Sequence, residues 1–174
     1  MTTHENPEGS TTPSTMSYVT SFDVAAPIDE VFRVATRPVL WWGEMLHGTS
    51  TALGDRFEWN VPGQHFNAFE VTEYAPGSRC AWTVLASGKE HEAEEWIGTV
   101  VEFTFTSAGN GAAVTFSHRG LTPSLECYDM CSRAWNYHLD VGLRAYLDGE
   151  TARPLTYGTI DDVVATIGSS GQIQ

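Results

Sequence analysis

The middle of the chain alternates apolar and polar residues with a period of two, in five stretches between residues 56 and 118. Neighbouring side chains of a strand point to opposite faces, so this period predicts strands with one buried face. Short turn-like links between the stretches favour an antiparallel meander. The residues expected on the buried face are Phe57, Trp59 and Val61; Phe69 and Val71; Trp82 and Val84; Ile97, Val101, Phe103 and Phe105; and Val114, Phe116 and His118.

A strand and two short helices are predicted before this region. Residues 17–25 form the strand, and Pro27 suits the first turn of a helix because that position needs no backbone N–H. Pro38 begins the second helix, and residues 43–55 are predicted to be loop-rich. The inward stripe of the first helix consists of Ile28, Val31, Phe32 and Ala35.

A long amphipathic helix is predicted from about residue 124 to residue 147. Gly142 lies inside it, where glycine costs about 1 kcal/mol relative to alanine. We therefore expect the helix to come close to the sheet or to the first helix at this position. The residues on its packed face are Tyr128, Cys131, Ser132, Trp135, Leu139, Gly142, Leu143 and Tyr146.

These elements predict an α+β fold in which a curved antiparallel β-sheet wraps around the long C-terminal α-helix, with two short helices after the first strand. The domain is expected to span residues 16–149. Residues 1–15 lack large apolar side chains apart from Met1 and are predicted to form a disordered tail. Residues 150–174 are predicted to be a partly ordered extension.

The charge balance excludes several classes of partner. The chain has 22 acidic and 9 basic residues, a formal net charge of −13, and Lys89 is its only lysine. Such a chain repels polyanions, so we expect no nucleic-acid partner. It has neither an apolar run of about 20 residues nor a signal-peptide pattern, which predicts a cytoplasmic protein without membrane insertion.

Several motifs together resemble the START-like, or SRPBCC, superfamily with its helix-grip fold, in the branch related to the heat-shock-protein ATPase activator, the Aha-type domain. The stretch 21–32 is similar to the first strand and helix of that branch, and Trp41-Trp42-Gly43 to its second helix. Residues 69–83 and 114–121 resemble later landmarks, followed by Trp135 in the long helix. Members carry lipids, bind hormones, cyclise polyketides or stimulate a chaperone, so the resemblance implies the fold more narrowly than the function.

The first functional hypothesis is an apolar cavity between the sheet and the long helix that binds a hydrophobic small molecule. The alternative is that the same side chains simply fill a core, because aromatic residues dominate ordinary cores as well. The predicted ligand-binding residues are Trp59, Phe69, Trp82, Phe103, Phe116, His118, Tyr128, Trp135 and Leu139.

The second hypothesis is an enzyme of the cyclase, aromatase or dehydratase type that uses the same cavity. His118 would act as a general acid or base, and the Tyr128 hydroxyl would assist. The alternative for His118 is a structural role that ties the end of its strand to the long helix or to Arg119. A third hypothesis, a chaperone-modulating interaction protein, follows only from the family resemblance.

Two cysteines, Cys127 and Cys131, are spaced by four residues on the predicted helix, and His138 follows seven residues later. This spacing can place soft metal ligands on one side of a helix. Cysteine is also a common small buried residue, so plain packing is the preferred interpretation and no metal or cofactor is predicted. The protein is expected to be a monomer or a homodimer.

Overall fold

The computed structural model of the protein describes residues 16–43, 45–61, 65–88 and 95–151. The helical elements of this part are α1 (Ile28–Ala35), a 3₁₀ turn (Pro38–Leu40) and a long helix, α2, made of the consecutive segments Tyr128–Tyr137, His138–Arg144 and Ala145–Leu147. Its strands are β1 (Tyr18–Val24), β2 (Leu46–Gly48), β3 (Arg56–Val61), β4 (His65–Ala75), β5 (Arg79–Gly88), β6 (Val100–Ala108) and β7 (Gly111–Arg119).

The strands of the described residues form one antiparallel sheet in the order β1-β7-β6-β5-β4-β3-β2. Strands β2 to β7 are a meander, and β1 closes against β7 with Tyr18 opposite His118. The alternation from residue 56 onward is therefore confirmed as strands. Phe69, Phe103 and Phe116 point to the buried face and are fully shielded from solvent.

Two details of the strand prediction are wrong. Ile97 does not face the core: it lies in the turn before β6 with 44% of its surface exposed. The segment predicted to be loop contains β2, which pairs with β3 so that Leu46 lies opposite Trp59. A strand of three residues is too short to show an alternation, so sequence periodicity could not have revealed it.

Helix α2 begins at Tyr128, four residues later than predicted. The backbone N–H groups of Glu126 and Cys127 both donate to the Glu95 carboxylate, at 3.2 Å each, so they are bound by the segment before β6. A negative group at this end of a helix is favourable because the exposed N–H groups there carry partial positive charge. The preceding residues form turns instead of helix.

The middle segment of α2, His138–Arg144, is wound more widely, as a π-helix. Gly142 lies inside it and touches the backbone of Trp41: a Cβ at this glycine would lie 2.3 Å from the Trp41 carbonyl oxygen. The close approach predicted for Gly142 is real, but its neighbour is the segment after the 3₁₀ turn and not the sheet or α1. The side chain of any other residue would push Trp41 and Trp42 away from α2.

The sheet wraps around α2, which confirms the predicted α+β helix-grip fold. Trp135, Leu139 and Leu143 on the buried face of α2 are at most 1% exposed, and the ring of Trp135 lies 4.7 Å from that of Phe116 on β7. Helix α1 covers the other end of the sheet, where Phe32 meets Phe105 edge to face at 5.4 Å. Residues 1–15 and 152–174, for which a tail and an extension were predicted, lie outside the described residues.

Candidate ligand-binding site

The structure brings the predicted pocket residues together in one aromatic interior between the sheet and α2. Eight of the nine are buried, and Tyr128 at the start of α2 is half-buried. Within this interior the side chains differ in chemistry from one end to the other. We define the Phe-rich half as Phe32, Phe57, Phe69, Trp82, Phe103 and Phe105, and the Trp–His half as Trp42, Trp59, His65, Asn67, Trp96, His118, Trp135 and His138.

The Phe-rich half is packed ring against ring. Phe57 stacks on Phe69 with ring centroids 4.9 Å apart and meets Trp82 edge to face at 5.0 Å. Trp82 in turn meets Phe103 at 5.4 Å. These separations lie in the range of favourable aromatic pairs, about 4.5 to 7 Å. The geometry of Phe69, Trp82 and Phe103 is therefore that of a core, and their assignment to a ligand site stays a prediction.

Trp42 lies at the centre of the Trp–His half. It comes from the segment after the 3₁₀ turn and stacks on Trp59 at 6.0 Å with an angle of 19° between the ring planes. Its ring centroid lies 4.9 Å from that of Trp135 and 5.5 Å from that of His138. The sequence marked Trp42 only as a helix landmark, because two adjacent tryptophans do not reveal which of them faces a ligand site.

Trp96 closes the same half from the segment before β6. It stacks on Trp135 at 6.0 Å with 13° between the planes, and its ring meets that of His118 edge to face at 4.5 Å. It also lies 6.3 Å from His65, measured between ring centroids. No strand period includes Trp96, so the pattern gave no sign that it faces inward.

His118 is buried at the end of β7 and uses both ring nitrogens. Its Nδ1 accepts a hydrogen bond from the Trp135 indole N–H at 3.0 Å. An indole nitrogen can only donate, so the ring proton of neutral His118 is on Nε2, which lies 2.8 Å from the Thr99 hydroxyl oxygen. That hydroxyl donates to the Trp96 carbonyl oxygen at 2.6 Å.

Burial lowers the pKa of His118 to about 3, so the imidazole is neutral near pH 7. This chain of hydrogen bonds joins β7, α2 and the Trp96 segment, which is the structural role considered for His118. A general base needs a free lone pair, and the Nδ1 lone pair of His118 already binds Trp135. The catalytic assignment of His118 and Tyr128 stays a prediction, and the geometry favours the structural role.

Three buried polar atoms of the Trp–His half have no hydrogen-bond partner among the described residues: Trp42 Nε1, Asn67 Oδ1 and His138 Nδ1. Asn67 is 1% exposed and His138 is 5% exposed. An unmet buried donor or acceptor costs about 1–3 kcal/mol, and most such groups in proteins are paired. The sequence could have indicated His138 only as a lone histidine on the packed face of α2.

The Phe-rich half has one such atom: Trp82 Nε1 is also buried without a hydrogen-bond partner among the described residues. The indole N–H of Trp82 faces the thiol of Cys80, a weak acceptor, and this contact opposes the effect of burial, which raises the pKa of Cys80 to about 12. The unmet hydrogen-bonding groups of these two halves are therefore concentrated where the indoles and histidines meet.

The family comparison agrees with the observed fold. The family described as "Activator of Hsp90 ATPase homolog 1-like protein" matches residues 25–148, which is most of the chain. The chain belongs to this family. The resemblance noted in the sequence is thereby confirmed for the family, and no curated protein sequence matches the chain.

Solved structures resemble this Aha1-like protein in fold at low sequence identity. The Aha1 dimer from Colwellia psychrerythraea is 20% identical with a TM-score of 0.64, covering 76% of this chain and 96% of that one. CalU16 from Micromonospora echinospora is 18% identical with a TM-score of 0.57, covering 87% and 83%. DynU16, a putative protein in the dynemicin biosynthetic locus, is 19% identical with a TM-score of 0.56, covering 78% and 48%.

The interior of this Aha1-like domain is electrically neutral over the described residues. Its buried polar side chains are uncharged ones, and the two buried histidines are neutral because burial lowers the pKa of each to about 3. Ion pairs occupy the outer surface instead, as where Arg79 contacts Glu102 at 2.7 Å. A charged ligand would therefore meet no compensating charge inside.

The two helix cysteines of this Aha1-like domain are packed and half-buried. The N–H of Cys131 donates to the carbonyl of Cys127 at 2.8 Å, and the neighbouring Cys131 thiol lowers the pKa of the Cys127 thiol. Over the residues that the structure describes, no three His, Cys, Asp or Glu side chains are grouped so that they could hold a metal ion. None of the described helices is both long and apolar enough to cross a membrane.

Proposed function

We propose that this protein binds a hydrophobic small molecule between its sheet and α2, in the Trp–His half of the interior. The observation that carries the proposal is the group of three buried polar atoms, on Trp42, Asn67 and His138, that have no partner among the described residues. Trp42 and His138 lie among the indole rings, and Asn67 is opposite Trp59 in the sheet. A mainly apolar surface with a few polar atoms is the usual composition of a small-molecule site.

Affinity would come mainly from the indole faces. Burying apolar surface is worth about 25 cal/mol per Å², and each aromatic side chain offers a large area. Among the predicted ligand-binding residues, Trp59, His118 and Trp135 lie in this half, and Phe116 and Leu139 adjoin Trp135 through β7 and α2. Phe69, Trp82 and Phe103 would support the site from behind, and Tyr128 lies at its edge.

The test is binding of neutral fluorescent probes such as Nile red and N-phenyl-1-naphthylamine, with native mass spectrometry for stoichiometry. We expect saturable binding of one probe per chain and loss of that binding on Trp42→Ala. The matched control is Phe105→Leu, which changes the Phe-rich half and is expected to retain binding. If the folded protein binds neither probe saturably, the proposal fails.

The two alternatives stay predictions with weaker support. A cyclase-type enzyme needs an acid or base in the interior, and His118 has both nitrogens engaged. Chaperone modulation is suggested by the family description alone. The solved Aha1 from Colwellia psychrerythraea is a dimer, which is consistent with the homodimer considered for this chain.

A further inference from the structure

We infer that the ligand is a flat, neutral aromatic molecule that carries both a hydrogen-bond acceptor and a hydroxyl or amide donor, held by Trp42 and Asn67. This inference rests on the proposed function and specifies the chemistry of the same site. It follows from the three partnerless atoms, the charge of the interior and the orientation of the indoles.

The ligand needs an acceptor because of Trp42. An indole nitrogen has one N–H, which donates and cannot accept. Trp42 Nε1 is buried and has no acceptor among the described residues, whereas the neighbouring Trp41 donates its own N–H to the Val34 carbonyl oxygen at 3.2 Å. A carbonyl, ether or ring nitrogen of a ligand would complete the hydrogen bonding of Trp42.

The ligand needs a donor because of Asn67. The amide nitrogen of Asn67 lies 3.1 Å from His65 Nε2, and since an amide nitrogen only donates, the imidazole nitrogen accepts. This bond sets the direction of the amide group. It leaves Oδ1 buried with no donor among the described residues. A hydroxyl or N–H group of a ligand fits this atom.

His138 can pair with either a hydrogen-bond donor or an acceptor of the ligand. Its ring lies 5.5 Å from that of Trp42, and its buried Nδ1 has no partner among the described residues. A neutral imidazole nitrogen donates or accepts according to its tautomer. A ligand hydroxyl beside Trp42 could therefore pair with His138 in either direction, which adds affinity without fixing the pattern.

The charge of the interior and the orientation of its indoles narrow the class of ligand further. The buried side chains of the described interior include no Asp, Glu, Lys or Arg, so a carboxylate or an ammonium group would lose hydration without gaining a counter-charge. Trp42 and Trp59 are within 19° of parallel, and Trp96 and Trp135 within 13°. The two rings of each pair stack on each other at 6.0 Å, so a ligand ring would extend a stack instead of entering between them, and a planar ring does this better than a saturated one.

The experiment compares five naphthalenes: naphthalene, 2-acetylnaphthalene, 2-naphthol, 6-hydroxy-2-acetylnaphthalene and 6-hydroxy-2-naphthoate. Dissociation constants are measured by quenching of tryptophan fluorescence and checked by calorimetry. We expect 6-hydroxy-2-acetylnaphthalene, the hydroxy-ketone, to bind tightest. Each polar group should lower the dissociation constant about 3- to 10-fold. The carboxylate, 6-hydroxy-2-naphthoate, should bind more weakly than naphthalene.

Substitutions assign each preference to its residue. Trp42→Phe should remove the advantage of the ketone and Asn67→Leu the advantage of the hydroxyl, each measured as the ratio of the dissociation constant of naphthalene to that of the substituted naphthalene in the same variant. Phe105→Leu is the matched control and should preserve both preferences. Each variant is first shown to be folded by thermal unfolding.

A measurement on the unsubstituted protein is independent of any folding defect. The carbonyl stretch of the bound hydroxy-ketone should move to lower wavenumber than that of the ketone in hydrocarbon, because Trp42 donates to it. If naphthalene binds at least as tightly as the hydroxy-ketone, or the carbonyl band does not move, this inference is overturned while the proposed function stands. If none of the five binds, both are overturned.

Discussion

The two halves of the interior contain similar numbers of rings but differ in how many of their polar atoms lack a hydrogen-bond partner. In the Phe-rich half the rings of Phe57, Phe69 and Phe103 contact one another or Trp82, and one polar atom, Trp82 Nε1, has no hydrogen-bond partner among the described residues. In the Trp–His half the atoms Trp42 Nε1, Asn67 Oδ1 and His138 Nδ1 are left without partners among the described residues. This difference is why we propose that the Phe-rich half supplies stability and the Trp–His half binds the ligand.

His118 and Trp135 show how the Trp–His half stays ordered despite these unmet groups. Their hydrogen bond, extended through Thr99 to the Trp96 carbonyl, connects the sheet, α2 and the segment before β6. Every polar atom in this series of hydrogen bonds has a partner, so the series can fix the position of two indoles at little cost in free energy. The three polar atoms without partners lie in the same half as these two fixed indoles.

The largest expected effect is on the Phe-rich half. Phe103→Ala removes a fully buried ring that contacts Trp41, Trp82 and Phe116, and should lower the free energy of unfolding by about 3–5 kcal/mol. Urea unfolding followed by circular dichroism measures it. A loss below about 1 kcal/mol would contradict the view that this half is the stabilising core.

The second largest effect is expected at acid pH, where the two buried histidines of the Trp–His half should lower the free energy of unfolding. Both buried histidines have a folded-state pKa of about 3, below the value of 6.5 for an exposed imidazole. The unfolded chain therefore binds protons more readily, so stability is complete above pH 6.5 and falls as the pH drops, by about 1.4 kcal/mol per pH unit for each histidine.

Unfolding free energies measured between pH 6.5 and 5 test this slope. Within this range we expect His138→Leu to remove about half of the histidine contribution. The control His47→Gln replaces an exposed histidine outside the interior. Equal slopes in the wild type and in His138→Leu would show that His138 is not held neutral by the fold.

The third prediction concerns the contact that places Trp42. In Gly142→Ala the new Cβ would lie 2.3 Å from the Trp41 carbonyl oxygen, so the Trp41-Trp42 segment or α2 must shift. We expect a loss of about 1–3 kcal/mol, as for other overpacked sites, together with weaker probe binding. Gly149→Ala is the control: this glycine has φ +74° but open space, so a smaller loss of stability and unchanged binding are expected.

The smallest effect has the opposite sign. Asn67→Leu replaces an amide whose oxygen has no described partner, so the free protein should be unchanged or more stable by up to about 1 kcal/mol. Thermal unfolding measures the change, and the hydroxy-ketone affinity should fall in the same variant. A destabilisation above about 2 kcal/mol would mean that the Asn67 amide is a structural group.

The sequence predicted the Phe-rich half better than the Trp–His half, for a physical reason. Inward-facing apolar residues repeat with the period of the strand, which identified Phe57, Phe69 and Phe103. The residues that we propose for ligand recognition break that period: Asn67 is a polar residue on the inner face of β4, and Trp96 lies outside any strand. Trp42 and His138 meet only through tertiary packing, at 5.5 Å between rings, which no local pattern encodes.

The same limit applies to the elements around the site. The start of α2 depends on the Glu95 carboxylate, which is distant in sequence from the two N–H groups it binds. The π-helical segment contains the contact between Gly142 and Trp41, where the sequence showed only that a glycine in a helix needs a close neighbour. His118 was correctly placed inward, while its bond to Trp135 became visible only in the structure.

The most direct test of the account is a titration of ¹⁵N-labelled protein with 6-hydroxy-2-acetylnaphthalene, followed through its six tryptophan indole N–H signals. We predict saturable shifts for Trp42, Trp59, Trp96 and Trp135, largest and downfield for Trp42, with Trp41 and Trp82 nearly unmoved. Equal shifts at Trp82 and Trp42, or no saturable shift at Trp42, would contradict the claim that the Trp–His half is the binding site.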